Sequence, residues 1–123
     1  MMLQILKAKI QELIVTESNI NYPGSISLPE ELLKVSGIKP FELVHVNNKT
    51  NGNRILTYAV SNNRKGFVSI NGAASKHFQK GHKIHVLAYA FLNESEVETF
   101  QPTLVITDKE NDIIESKPYQ LNK

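Results

Sequence analysis

The sequence predicts a mainly β protein, a small closed barrel with short helices. Three observations predict it. Apolar runs of about five residues recur along the chain. Clusters rich in Asn, Gly and Pro separate them, as turns require. The 123 residues, 41% hydrophobic and 21% charged, suit one domain with one core. Closing the short strands into a barrel removes the exposed edges that invite aggregation.

The elements follow in order. Residues 3–16 are rich in Leu, Ile and Val, with polar residues roughly alternating from Lys7 to Glu12. They read as one or two strands with Lys9 near the middle. Residues 19–24 are turn-rich. Ser27-Leu28-Pro29-Glu30 reads as a helix start: a capping serine, a proline in the first turn and a glutamate three residues on. The helix takes residues 30–36, and Gly37 stops it. Lys39-Pro40 turns the chain, and residues 42–47 alternate as a strand. Asn51-Gly52 is a hairpin signal, with a strand at 54–60 beyond it. A turn at 63–66 and a short strand at 67–70 follow. Asn71-Gly72-Ala73-Ala74 leads into a short helix ending before Gly81. Residues 82–92 form a strand. Asn93 caps a brief helix with Glu96, ended by Pro102. The strand 103–107, a polar turn at 109–112, a weakly pairing Ile113-Ile114 and a frayed tail from Ser116 complete the chain.

Composition excludes several functions. A net charge of +2 with scattered lysines argues against a nucleic-acid partner. No cysteine is present, so disulfides, thiolate metal sites and cysteine nucleophiles are excluded, which suits a cytoplasmic protein. Lys7, Lys9, Gln11 and Glu12 interrupt the N-terminal apolar run, unlike a signal peptide. No stretch approaches the ~20 apolar residues of a membrane span. His45, His77, His82 and His85 form no known metal pattern, so no metal is expected.

The most chemically suggestive stretch is Tyr22-Pro23-Gly24-Ser25. Glycine in a turn permits backbone angles that other residues resist, so its peptide can be held strained and open to attack. A serine hydroxyl can attack the carbonyl just before it if that carbonyl is polarised. The ester product, after β-elimination, leaves the serine as a pyruvoyl group at a new chain start.

Tyr22-Pro23-Gly24-Ser25, Thr50-Asn51-Gly52-Asn53-Arg54 with Thr57-Tyr58-Ala59, and Ser69-Ile70-Asn71-Gly72-Ala73-Ala74 resemble the three signature stretches of the pyruvoyl-dependent aspartate 1-decarboxylases. Met2-Leu3 with Lys7 and Lys9, Gly81, and Ala88-Tyr89-Ala90 also resemble that family. The likeness runs in order over about residues 1–115. It implies a double-psi β-barrel assembled as a homotetramer in the cytoplasm. It implies self-cleavage of a single-domain zymogen into residues 1–24 (the β chain) and 25–123 (the α chain). It also implies decarboxylation of L-aspartate to β-alanine, a step toward pantothenate and coenzyme A. Residue by residue, Ser25 is the precursor of a covalent pyruvoyl cofactor and Tyr58 the proton donor. Gly24, Tyr22 and Thr57 belong to processing. Lys9, Arg54, Thr57, Asn71, Gly72, Ala73 and Ala74 contact substrate. No metal, pyridoxal phosphate, nucleic acid or membrane is implied. A maturation factor has no signature among the residues. Asn47 stands where some members carry tryptophan, His82 where an aspartate is usual, and His85 in a strand that is usually apolar.

The residue types suit that chemistry. Decarboxylation leaves a carbanion that needs an electron sink. A pyruvoyl ketone joined to the substrate amine as a Schiff base provides one. Arg54 can grip the side-chain carboxylate in a fork, since a grip on the departing carboxylate would oppose reaction. Tyr58, a phenol protonated at neutral pH, is available as the acid. In a regular strand Thr57 and Tyr58 point to opposite faces, so only one faces a given pocket unless the strand bends or neighbouring subunits each contribute. Asn71-Gly72 at a helix start offers backbone N–H groups to an anion. A non-catalytic binding module on the same barrel is the other reading, since a fold can outlast its chemistry. The complete set Lys9, Gly24, Ser25, Arg54, Thr57 and Tyr58 favours the enzyme.

Overall fold

The structure, a computed structural model, describes residues 1–121. The first strand, β1 (Met2–Ile14), organises the rest. It pairs antiparallel with one strand and parallel with another, so both of its edges are used. Ala8 and Ile10 are buried while Lys7 and Lys9 are not, as a two-residue period requires. A β-bulge between Ile10 and Leu13 then shifts the phase. Glu12 sits in it at φ 71, and beyond it Leu13 and Val15 are the buried residues.

The remaining elements are β2 (Glu17–Asn19), β3 (Ser25–Pro29), α1 (Glu30–Ser36), β4 (Leu43–Asn48), β5 (Arg54–Asn62), β6 (Ser69–Asn71), a 3-10 helix (Gly72–His77), β7 (Lys83–Asn93), α2 (Glu94–Val97), β8 (Thr103–Thr107) and β9 (Ile113–Pro118). The strands form one mixed sheet in the order β2-β6-β3-β5-β4-β7-β1-β8-β9. This mainly β architecture with short helices is consistent with the small barrel expected. One face of the sheet is the core: Ile26, Val44, Val46, Ala59, Ile70 and Val86 on it are fully buried. Truncating one of its larger aliphatic residues to alanine costs about 2–5 kcal/mol.

Several elements stand where the sequence puts them. Helix α1 ends at Gly37, whose φ of 79 is left-handed and whose N–H donates to the Leu33 carbonyl. Asn93 and Glu96 form a reciprocal capping box on α2. The Asn51-Gly52 turn joins antiparallel β4 and β5, with Asn47 opposite Arg54. Asn48 organises it, its side-chain oxygen accepting from the N–H groups of Thr50 and Asn51.

Other elements differ. Ser27 does not cap α1; Pro29 occupies that position and no side chain caps the helix. Ser27 is buried in β3 between Val60 and Ser69, and its hydroxyl accepts from Asn62 Nδ2 at 2.9 Å. Sheet pairing on both sides outweighs one local cap. β2, polar and three residues long, has no signal in the sequence; its parallel pairing with β6 defines it. The helix expected after Asn71 is a 3-10 helix. The C-terminal stretch is not frayed from Ser116: Ser116, Lys117 and Pro118 pair with Val105, Leu104 and Thr103. Tyr119 extends that order through its N–H to the Pro102 carbonyl. The last two residues of the expected tail lie outside the described residues.

Candidate active site

Ser25 is the first residue of β3 and is 5% exposed. Its backbone is opposite Asn71 in β6. Asn71 Nδ2 donates to Ser25 Oγ at 3.1 Å, and the hydroxyl donates to the Pro23 carbonyl at 3.3 Å. Ser69 Oγ in turn donates to Asn71 Oδ1 at 2.6 Å, which fixes the way the amide faces. A short relay of side chains therefore holds the serine hydroxyl from behind. Ser69 carries part of this geometry, and its position two residues before Asn71 on the same strand face is the signal that would reveal it.

The glycine whose conformation matters is Gly72, not Gly24. Gly24 does not adopt a positive φ, and a Cβ there would meet nothing within 4 Å. Gly72 has φ 79, and a Cβ on it would lie 2.6 Å from Gly24 Cα and 2.9 Å from Gly24 N. Only glycine allows this approach. The strained turn expected at Gly24 is thus replaced by a close backbone crossing, with the left-handed residue on the partner strand's side. Ala73, next to Gly72, is exposed and Ala74 is partly buried against the core. Tyr22 is half exposed at the turn's outer edge.

Register decides between Thr57 and Tyr58. In the parallel pair β3–β5, Ile26 is opposite Ala59 on the core face. One residue back, Ser25 and Tyr58 share the other face, and Thr57 lies on the core side with Val44. Tyr58 is partly buried beside the Phe41 ring, centroids 6.0 Å apart. Phe41 is held there at φ 70, which a bulky residue rarely adopts.

The cations lie elsewhere. Arg54 is four residues from Tyr58 along β5, about 13 Å. Lys9 is on β1, four strands from β3 in the sheet order, about 19 Å along the surface. Both are on the outer face of the sheet. There Asn47 is opposite both Arg54 and His85, and Leu87 is opposite both His45 and Lys9. Arg54 Nη2 is 2.6 Å from His45 Nδ1, and the His45 ring lies 4.8 Å from that of Tyr89. Burial, and then the adjacent guanidinium, hold the His45 pKa below its ordinary value. Lys9 Nζ lies over the Tyr119 ring at 5.6 Å.

On the same face lies a polar group. Among the described residues Glu12 Oε2, Asn47 Oδ1 and His85 Nε2 are buried without hydrogen-bond partners, although Glu12 Oε2 lies 3.4 Å from Lys83 Nζ and 3.8 Å from His85 Nε2. Lys49 pairs with Glu12 at 3.0 Å and lowers its pKa. Burial, with Lys9 nearby, lowers that of His85. Asn47 and His85, two separate oddities in the sequence, are thus one pair across β4 and β7. His82 has a local explanation: its Nδ1 accepts from the Gln79 N–H at 3.1 Å, the turn contact an aspartate oxygen could make. Among the described residues, Asp108, Glu110 and Asp112 are acidic groups close enough to share a cation, and they lie in the β8–β9 turn, apart from Ser25. None of the histidines belongs to that group.

These features define a class: a small mainly β protein with a buried serine after a glycine, and carboxylate-binding residue types on the outer face of the same sheet. Comparison with known proteins gives the family. The family described as aspartate decarboxylase matches residues 1–114. Proteins named aspartate 1-decarboxylase are similar over most of their length. The one from Carboxydothermus hydrogenoformans is 43% identical over 99% of this chain and 97% of its own. That from Xanthomonas campestris pv. campestris is 46% identical over 92% and 90%. That from Campylobacter jejuni is 42% identical over 90% and 88%. The chain belongs to the aspartate decarboxylase family.

Proposed function

We propose that the protein decarboxylates L-aspartate to β-alanine after cutting itself between Gly24 and Ser25, in the cytoplasm and on the way to pantothenate. The observation that carries the reading is the Ser25 hydroxyl, buried after a glycine and held between the Asn71 amide and the Pro23 carbonyl. The residues fit a pyruvoyl group: the Ser25 hydroxyl that would be eliminated is buried and held by the Asn71 amide and the Pro23 carbonyl.

In processing, Ser25 Oγ attacks the Gly24 carbonyl carbon and the peptide nitrogen leaves, giving an ester. Elimination breaks the ester. Residues 1–24 depart as a carboxylate, and the remaining unsaturated residue takes up water and releases ammonia to become the ketone. When formed, that ketone supplies the electron sink for decarboxylation. Asn71 aims the hydroxyl. Thr57 lies on the core side of β5, opposite the face that Ser25 and Tyr58 share, so the donor role expected of it at the Gly24 carbonyl is not assigned, and Tyr22 shapes the turn. In turnover, Tyr58 delivers the proton to the carbon that lost carbon dioxide. The backbone at Gly72, Ala73 and Ala74 receives the substrate.

Arg54 and Lys9 hold aspartate, but in a neighbouring subunit's site. Four residues of β5 separate Arg54 from Tyr58 and four strand steps separate Lys9 from β3, so we assign both to a neighbouring subunit's site rather than to their own. Leu43, Leu56, Phe41 and Phe91 are exposed on or beside their face, as a surface covered by another copy would be. We read the assembly as a homotetramer with sites shared between subunits. Among the described residues no helix is long and apolar enough to cross a membrane.

The test is a denaturing mass spectrum of purified protein alongside an assay for β-alanine. Two fragments, residues 1–24 and a blocked 25–123, are expected, with an intact chain for Ser25→Ala. Cleavage of Ser25→Ala at the same bond would remove serine from the mechanism.

A further inference from the structure

We propose that His45 is a positioning residue for Arg54: its Nδ1 accepts one guanidinium N–H and thereby sets the direction in which the rest of the fork meets the substrate carboxylate. This rests on the reading of Arg54 as the carboxylate clamp. The geometry is specific. Arg54 is exposed and would otherwise sweep many rotamers, since long cationic side chains lose much entropy when fixed. The 2.6 Å contact to His45 Nδ1 ties one terminal nitrogen. Three other N–H bonds of the two terminal nitrogens, and the Nε–H, stay free for a carboxylate. The His45 ring is itself held by a tilted contact with the Tyr89 ring, centroids 4.8 Å apart, and by its place between Leu56 and Leu87.

A guanidinium cannot be deprotonated, so the contact exists only while the Nδ1 lone pair is free. The groups facing His45 keep it so. They are Arg54 from β5, Tyr89 and His85 from β7, and Lys9 from β1 across Leu87. None is a carboxylate that would favour an imidazolium. Burial and the guanidinium hold its pKa below the ordinary value, which leaves the acceptor intact at neutral pH. Acid below that pKa would protonate Nδ1, break the contact and set two cations against each other.

The experiment compares steady-state aspartate kinetics of processed wild type, His45→Ala and His45→Asn between about pH 5 and pH 8. Asparagine is chosen because its Oδ1 stands where Nδ1 stands, accepts a hydrogen bond and does not titrate. His45→Ala should raise KM about tenfold, the low end for a hydrogen bond to a charged group. Its kcat should change less than about threefold. His45→Asn should restore most of the KM and lack the acid-side rise in KM expected of wild type. An unchanged KM in His45→Ala, or the same acid-side rise in His45→Asn, overturns the proposal. A second measurement needs no turnover. The His45 ring, followed by NMR, should titrate at higher pH in Arg54→Ala than in wild type; an unmoved titration overturns the proposal whatever the kinetics. Failure of the underlying reading looks different: wild-type protein would make no β-alanine, or Arg54→Ala would keep normal aspartate kinetics.

Discussion

The seam between β3 and β6 and the outer face of β5, β4, β7 and β1 are built on opposite principles. At the seam, Ser69, Asn71, Ser25 and the Pro23 carbonyl satisfy one another within one chain, and Gly72 closes on Gly24. The outer face is exposed and incomplete. Arg54 lies on β5, the strand next to β3, but four residues along it from Tyr58, and Lys9 lies on β1, four strands from β3; apolar side chains lie bare around them, and among the described residues Asn47 Oδ1 and His85 Nε2 are buried without hydrogen-bond partners. On the proposed function the contrast separates two jobs with different requirements: cutting the chain would need what one folded chain already holds, and using the cut chain would need a second copy.

The largest expected effect breaks that contrast directly. Ser25→Ala alone and Arg54→Ala alone should each lose aspartate turnover. Removing the partner of a buried carboxylate costs on the order of 3–5 kcal/mol. Coexpressed, the two variants should regain activity, roughly a quarter of wild type for random assembly of shared sites. Mass spectrometry should show only the Arg54→Ala chains cut. No recovery in a verified mixed oligomer would mean that each chain supplies its own arginine.

Next in size, Tyr58→Phe sharpens the contrast within the serine's own neighbourhood. Register sets Tyr58 beside Ser25, yet its hydroxyl is assigned to turnover alone. The variant should cleave normally and make β-alanine ~10²–10⁴-fold more slowly in single-turnover assays, the worth of a general acid. A rate within about twofold of wild type would return Tyr58 to a packing role.

The smallest effect is on stability at the seam. Gly72→Ala adds a Cβ into backbone, not into a flexible side chain, and at a left-handed φ. About 2–4 kcal/mol of destabilisation is expected from overpacking and strain together. Thermal unfolding of uncut protein measures it, and the cut fraction should fall in parallel. Gly24→Ala meets no neighbour at the added Cβ and should unfold near the wild-type temperature; equal losses at the two positions would show that the crossing does not matter.

Much of this was legible in the sequence because it is local. The α1 boundaries, the Gly37 stop, the Asn93–Glu96 cap and the strand 103–107 follow from residues a few positions apart. The same local reading misassigned Ser27, where pairing with β5 and β6 decided the conformation instead. The motifs bring Ser25 and Asn71 to attention but not their contact, which spans 46 positions. Nor do they reveal that Lys9 and Ser25 are four strands apart, or that Asn47 faces His85. Those facts are register, and register is set by the phase of every strand between, including the bulge at Glu12.

That long first strand has one more consequence. A cut after Gly24 would sever β1 and β2 from the rest of the sequence without releasing them, because β1 is laddered to β7 on one side and β8 on the other. The uncut chain folds as a single molecule. The cut protein, once unfolded, would become two strangers that must meet again, and its recovery would turn concentration-dependent. Such a cut would record that folding came first: it would turn a reversible shape into one with a history, and only an uncut chain could retrace the route alone.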